Sequence, residues 1–261
     1  MNRIVVITGG TSGIGLDLKK LFVANGDIVL TLSTRVIDDE MHYSVDMANQ
    51  AQVTQAIQSI ANKYGKIDIL INNAGFGMSG ITELIDFDEI KRLTEVNYYG
   101  VLYTTRASLK YMDKGSKIIN ISSAMALFPV PFRSIYGSIK AAVLNLSLSL
   151  RMELAPLGID VVAICPGDIK TNFTQNRIKD FKTNERYGNR LKSATAQCDG
   201  RESKRIPSDK CAKAIFKKVN KTKTKPYYII GGKYKVLNFI TKITPKSWLL
   251  KITNRFYGGK Q

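Results

Sequence analysis

The stretch RIVVIT (3–8) is a short β-branched run that stops abruptly at GGTSGIG (9–15), after which Ile14, Leu18, Leu21 and Phe22 recur at helical spacing. Strand, glycine turn and helix in that order form the opening unit of a parallel sheet covered by helices. The turn also has chemical meaning. Glycines let the backbone approach a pyrophosphate, whose charge is stabilised by the free amides at the start of the following helix. Taken alone the signal is weak, because tight turns take glycine for steric reasons as well.

The rest of the chain repeats the alternation. DIVLTLS (27–33), KIDILINNAG (66–75), SKIINISS (116–123) and IDVVAICPG (159–167) read as strands. Helices are expected over about 49–64, 86–112 with a break, and 134–156. The pattern predicts a doubly wound, parallel α/β sheet, with ligands at the carboxyl ends of its strands. One domain is expected over residues 1–232, with a polar substrate loop or lid at 172–206. Within it, PSDKCAKAIFKKV reads as a helix with Ser208 near its start and PYYIIGG (226–232) as a last strand. Residues 233–261 form a basic amphipathic tail in which Val236, Leu237, Phe239, Ile240 and Ile243 alternate with lysines. Pro245 breaks that pattern, and it resumes with Trp248, Leu249, Leu250, Ile252 and Phe256.

Three well-separated cysteines (Cys165, Cys198, Cys211) and a single histidine, His42, leave no metal-ligand spacing and no Ser-His-Asp triad. No metal is expected, and the setting reads as reducing and cytoplasmic. The formal net charge is +18. It is concentrated late: residues 170–261 hold 24 Lys and Arg against 5 Asp and Glu, whereas residues 1–169 hold 15 against 16. Such a face is either a solvated surface or meets an anionic partner.

SIYGSIKAA (134–142) places Tyr136 and Lys140 four apart, on one helix face. A phenol has an ordinary pKa of about 10, and an adjacent ammonium stabilises its anion. With TGGTSGIG, NNAG (72–75), VNYYG (96–100), ISS (121–123), YGSIK (136–140) and PGDIKT (166–171) in that order, residues 3–171 resemble the short-chain dehydrogenase/reductase family. The resemblance implies a Rossmann-fold oxidoreductase that moves a hydride between a nicotinamide and a carbonyl or secondary alcohol.

By that resemblance Tyr136 is the general acid/base, Lys140 tunes it and holds the nicotinamide ribose, and Asn97 holds a water in the proton relay. Ser123, thirteen residues before Tyr136, matches the serine that binds the substrate oxygen, and Ser122 is structural. The cofactor is expected on Gly9, Thr11, Ser12, Gly13, Ile14 and Gly15, on Asn73, Ala74 and Gly75, on Tyr136 and Lys140, and on Pro166, Gly167, Ile169 and Thr171. Asp46 resembles the aspartate whose surroundings contact adenine. No carboxylate follows the second strand at Leu32 or Ser33, whereas Arg35 does. That favours NADP, with NAD as the alternative and a solvated loop as the other reading of Arg35. Only ten residues separate Arg35 from Asp46, too few for the family's usual helix there.

Leu127, Phe128, Pro129, Val130 and Phe132 suggest an apolar wall for a hydrophobic carbonyl or alcohol substrate of lipid, steroid or acyl type. The resemblance implies a homo-oligomer through the helices near 98–112 and 136–154. The tail packs on the body or a second subunit, rests on an anionic membrane surface as a peripheral contact, or covers the active site. A nucleotide-sensing regulator without turnover is the rival function. No nucleic-acid partner is expected, since no recognisable module is present.

Overall fold

Alternation on a pleated strand sorts Ile4 and Val6 to one side of the sheet and Val5 and Ile7 to the other, and all four are buried. In this computed structural model, which describes residues 2–171, 177–180, 182–200 and 205–259 (the side chains of 198 and 199 apart), both sides carry helices. The first half of the chain runs β1 (Ile4–Thr8), α1 (Gly13–Ala24), β2 (Ile28–Ser33), β3 (His42–Ser44), α2 (Gln50–Tyr64), β4 (Ile69–Asn72), β5 (Met78–Ser79), α3 (Phe87–Thr94) and α4 (Gly100–Leu109). There follow β6 (Lys117–Ile121), α5 (Ser134–Leu154), β7 (Asp160–Pro166), β8 (Ile169–Lys170), β9 (Ile178–Lys179), α6 (Arg190–Asp199), β10 (Ile206–Pro207), α7 (Ser208–Val219), β11 (Tyr227–Ile230), α8 (Gly232–Ile243) and α9 (Lys246–Tyr257).

Seven strands form one parallel sheet in the order β11-β7-β6-β4-β1-β2-β3. Ile4, Val6, Leu30 and Leu70 pack with Val53 and Ile57 of α2, while Val5, Ile7 and Ile71 pack with Leu18 and Phe22 of α1 and Ile215 of α7. Strands covered on both sides are apolar throughout, as VVI and ILI require. The chain builds outward from β1 through β2 to β3, then returns to place β4 on the other side of β1. That reversal opens a crevice at the carboxyl ends of β1 and β4.

Two features expected from the sequence have local causes. The short segment after β2 holds no helix; it crosses directly to the edge strand β3, fixed by His42, whose ring lies 2.8 Å from both Thr31 Oγ1 and the Arg35 carbonyl. The break expected within 86–112 is a π-helical turn, Glu95–Tyr99, between α3 and α4. Helix α7 does begin at Ser208, but its hydroxyl bonds Asp17 Oδ2 on α1 at 2.5 Å and caps nothing. The expected loop at 172–206 contains β9 and α6; residues 172–176, 181 and 201–204 lie outside the described residues.

A buried polar ladder, invisible in the sequence pattern, ties α5 to the sheet. Thr104 donates to Asn72 (2.6 Å), Asn72 to Asn120 (2.8 Å) and Asn120 to Ser147 (2.9 Å). Each buried amide is thereby satisfied, and the helix carrying Tyr136 and Lys140 is held in register with β4 and β6.

Candidate active site

The β1–β4 crevice is fixed by hydrogen bonds across it. The amides of Asn73 and Ala74 donate to Thr8 Oγ1 (3.0 and 2.9 Å), and Asn73 Nδ2 donates to the carbonyls of Thr8 and Gly9 (3.1 and 3.2 Å). Gly9 has φ +66°, and a Cβ there would sit 2.9 Å from the Ala74 backbone. The turn therefore requires glycine for two independent reasons.

Thirteen of the residues expected to hold cofactor line one cavity of about 220 Å³: Gly9, Ser12, Gly13, Ile14, Asn73, Ala74, Gly75, Tyr136, Lys140, Pro166, Gly167, Ile169 and Thr171. Phe76, Ile121 and Ser122 also line it. Four expected residues stand outside. Gly15 packs inward against the Gly9 carbonyl. Thr11 bonds Ser33 Oγ at 3.2 Å, and Arg35 reaches the Thr11 carbonyl at 3.3 Å, so both sit at the rim beyond β2. Asp46 pairs with Arg92 at 3.0 Å and accepts from the Ala48 amide; burial raises its carboxyl, but these bonds outweigh that and hold it below the usual range.

Tyr136 and Lys140 lie one turn apart on α5, both buried. Burial pushes the Tyr136 phenol up to about 12, against the lowering effects of its hydrogen bond with Ser123 and the charges of Arg177 and Arg133. Burial likewise pushes Lys140 down to about 8. The Lys140 ammonium donates to the Ile121 carbonyl at 3.0 Å and stands 5.9 Å from the Tyr136 ring centre. Desolvation thus outweighs the nearby charges, and the net shift of the phenol is upward.

Ser123 points at the phenol, whereas Ser122 donates to the Lys140 carbonyl at 2.7 Å. Asn97 is fully buried in the π-helical turn. Its side chain accepts from the Phe76 amide (3.1 Å) and donates to the Phe76 carbonyl (2.8 Å). Both ends of that amide are committed to the turn after β4.

A second cavity, of about 90 Å³, meets the first at Ser123, Tyr136, Pro166, Gly167 and Ile169. Phe128 and Val130 line it; Leu127 and Pro129 line a neighbouring space of about 640 Å³. Phe132 does not join that wall. It stands at φ +61°, under the Arg190 guanidinium at 5.8 Å. The tail reaches this cavity too: Tyr234 of α8 is buried against Gly167, stacks on Phe128 and donates to Asp168, while Tyr257 of α9 lines the wall. Arg133, Arg177, Arg205, Asp168, Tyr234 and Tyr257 were not singled out by the sequence pattern. They come from six separate places along the chain, only Tyr234 and Tyr257 lying within helices, and meet only in the fold.

The family model for short chain dehydrogenases matches residues 3–182. The chain is a short-chain dehydrogenase/reductase. It is 37% identical over 180 residues to a 3-ketodihydrosphingosine reductase of Bacteroides thetaiotaomicron, covering 67% of each chain. A short-chain dehydrogenase of Streptomyces avermitilis superposes with a TM-score of 0.85 at 26% identity, over 96% of this chain and 95% of that one. ElxO, solved with NADP bound, gives a TM-score of 0.73 at 26% identity, over 90% and 100%. Short-chain dehydrogenases take a nicotinamide dinucleotide, and the crevice fits one. Its lining includes Gly9, Gly13, Gly75 and Gly167, where backbone can be approached closely, and α1 starts at it with no acidic residue in the first turn to repel phosphate.

Proposed function

We propose that this short-chain dehydrogenase is an NADP-preferring carbonyl reductase, with Tyr136 as proton donor. The observation that supports it is that Ser123 and Tyr136 line both cavities, where the nucleotide crevice meets the neighbouring space. Bound nicotinamide supplies the hydride that the carbonyl carbon receives. Ser123 holds the carbonyl oxygen, and Tyr136 passes its phenolic proton to that oxygen, giving an alcohol. A phenol held near 12 stays protonated at neutral pH, which suits donation in reduction. Lys140, Arg133 and Arg177 stabilise the phenolate that remains. Asn97 acts as a positioning residue that sets the Gly75–Phe76 turn. NADPH consumption with a panel of ketones tests the reading directly; nucleotide binding without consumption of any ketone would favour the regulator.

At the adenosine end, the α1 amides from Ser12 to Ile14 face the pyrophosphate and Arg35 takes the 2′-phosphate. Arg35→Ala is expected to weaken NADPH about tenfold, the scale of one charge-assisted contact, while changing NADH less than about twofold. Fluorescence titration of both nucleotides checks it. An equal loss for both would remove Arg35 from this role.

The tail supports contact with an anionic membrane surface. Val236, Phe239, Ile240 and Ile243 recur on one face of α8 and are exposed, Ile243 to 69%, and Trp248, Ile252 and Phe256 continue the exposed apolar surface on α9. Lys235, Lys242, Lys246, Lys251 and Arg255 lie among them. No helix among the described residues is long and apolar enough to cross a membrane, so the contact is peripheral. Sedimentation with phosphatidylglycerol vesicles should capture the protein, and Phe239→Ser with Trp248→Ser should cut the bound fraction about tenfold. Equal capture by neutral phosphatidylcholine would sink the electrostatic part. A homo-oligomer through the outer faces of α4 and α5 belongs to the same proposal.

A further inference from the structure

We propose that Tyr234 of α8 is a positioning residue for the reaction, its ring holding the turn made by Pro166, Gly167 and Asp168 in the shape that aligns nucleotide and ketone. This rests on the reading of that site as carbonyl-reducing, and it makes the tail part of the reacting unit.

Pro166 and Gly167 line both the nucleotide crevice and the cavity beside it. The sheet fixes one side of this turn: Pro166 pairs with Ile230 of β11, and the Gly167 amide donates to the Ile230 carbonyl at 3.0 Å. The chain then reverses at Gly231, whose φ of +114° favours glycine, and α8 begins at once. Tyr234, in the first turn of α8, is thereby carried back onto Gly167.

Gly167 is glycine for the sake of that ring. Its φ is not left-handed, so the backbone alone would accept a side chain. A Cβ there would nonetheless lie 2.0 Å from two carbons of the Tyr234 ring, and its three nearest atoms all belong to that ring. The ring has little freedom to give way. It is 5% exposed, lies nearly parallel to Phe128 with 6.2 Å between centres, and packs in a buried cluster with Ala124 and Val130. Ala124, Phe128 and Val130 belong to the segment between β6 and α5 that also carries Ser123. One ring therefore touches both the turn and that segment, and it lines the cavity that Ser123 and Tyr136 also line.

The polar end is held as well. Lys233 bonds Asp168 at 3.1 Å, and the Tyr234 phenol donates to the same side chain. Burial raises the Asp168 carboxyl, but these bonds and the Arg205 charge outweigh it and keep the acceptor ionised at neutral pH. Tyr234 need not reach the reacting atoms. A wall displaced by about 1 Å can cost on the order of 100-fold in rate by misaligning the reactants.

Fluorescence titration with NADPH tests the contact without any substrate. Gly167→Ala should weaken NADPH at least about tenfold, because its methyl drives the turn off the ring and into the crevice. Adding Tyr234→Ala should restore affinity to within about threefold of the wild type. Turnover tests the role. Tyr234→Ala and Tyr234→Leu should each lower kcat for a reducible ketone at least about tenfold with NADPH affinity within about threefold, since the dinucleotide is also held at the β1–α1 turn. Tyr234→Phe, which keeps the ring, should stay within about threefold in both. Rates are expressed per NADPH bound, so that a misfolded fraction does not count. Tyr234→Leu keeps apolar bulk and replaces alanine in the double variant should Tyr234→Ala not fold. The proposal is overturned if Gly167→Ala binds NADPH like the wild type, or if the double variant binds no better than Gly167→Ala. Wild-type kcat in Tyr234→Leu with only the melting temperature lowered would also overturn it, marking the ring as an anchor for the tail. A wild-type protein that binds NADPH but reduces no ketone would defeat the carbonyl reading alone, and the nucleotide titrations would then decide on Tyr234 by themselves.

Discussion

Tyr136→Phe should lower turnover at least about 10³-fold, within the range that a positioned general acid supplies, while the affinity for NADPH changes less than about threefold. The substitution removes one oxygen and keeps the ring. That ring packs with Met78, Ile85, Leu93 and Ile139, so the hydrophobic contacts survive. Removing the hydroxyl costs its hydrogen bond with Ser123, about 1 kcal/mol. A defect in turnover without a matching defect in binding or melting temperature is then chemical in origin. Single-turnover mixing of the NADPH complex with a reducible ketone reads the hydride step directly. If that step proceeds within tenfold of the wild-type rate, the proton comes from elsewhere. Ser123 would be the next group to test, because it also lines both cavities and bonds the Tyr136 phenol.

What could be read beforehand was whatever depends on short spacing. The GGTSGIG turn, the Tyr136–Lys140 pair and the thirteen-residue step from Ser123 to Tyr136 are all local, and the crevice gathers most of the residues they indicated. The strands were legible because a sheet buried on both faces leaves nearly continuous apolar runs. Long-range pairings were not. Asn72 sits inside NNAG and looks like its neighbours, yet it serves the ladder to Asn120 and Thr104 while Asn73 and Ala74 face the crevice. The net upward shift of the Tyr136 phenol was not legible, because one-turn spacing shows proximity and not desolvation. Nor does any spacing connect Arg133, Arg177 and Arg205, which line one cavity although they precede α5, β9 and β10. The tail was read as three alternatives because an amphipathic helix announces that one face is apolar, not what covers it. Tyr234 and Leu249 pack on the body, and Phe239, Ile243 and Trp248 face outward.

Gly15→Ala should abolish measurable nucleotide binding, a loss of at least about 100-fold, and lower the melting temperature by several degrees. The methyl group is small, but it has no place to go. Built on the native backbone, its carbon would lie 2.2 Å from the Gly9 carbonyl oxygen and 2.6 Å from Asn73 Nδ2. Relief demands that α1 move away from the turn or that Asn73 leave its bonds to the Thr8 and Gly9 carbonyls. Either movement displaces the amides of Ser12 to Ile14 from the crevice and loosens the β1–β4 tie together, so binding and stability fail jointly. Gly232→Ala is the control, since a Cβ there meets nothing within 4 Å and its φ is ordinary. It should leave nucleotide affinity within about twofold and the melting temperature within about 2 °C, as surface substitutions usually do. Should Gly15→Ala bind NADPH like the wild type, the turn between β1 and α1 must flex by more than an ångström at little cost, and tight approach of its backbone could not be what holds the pyrophosphate.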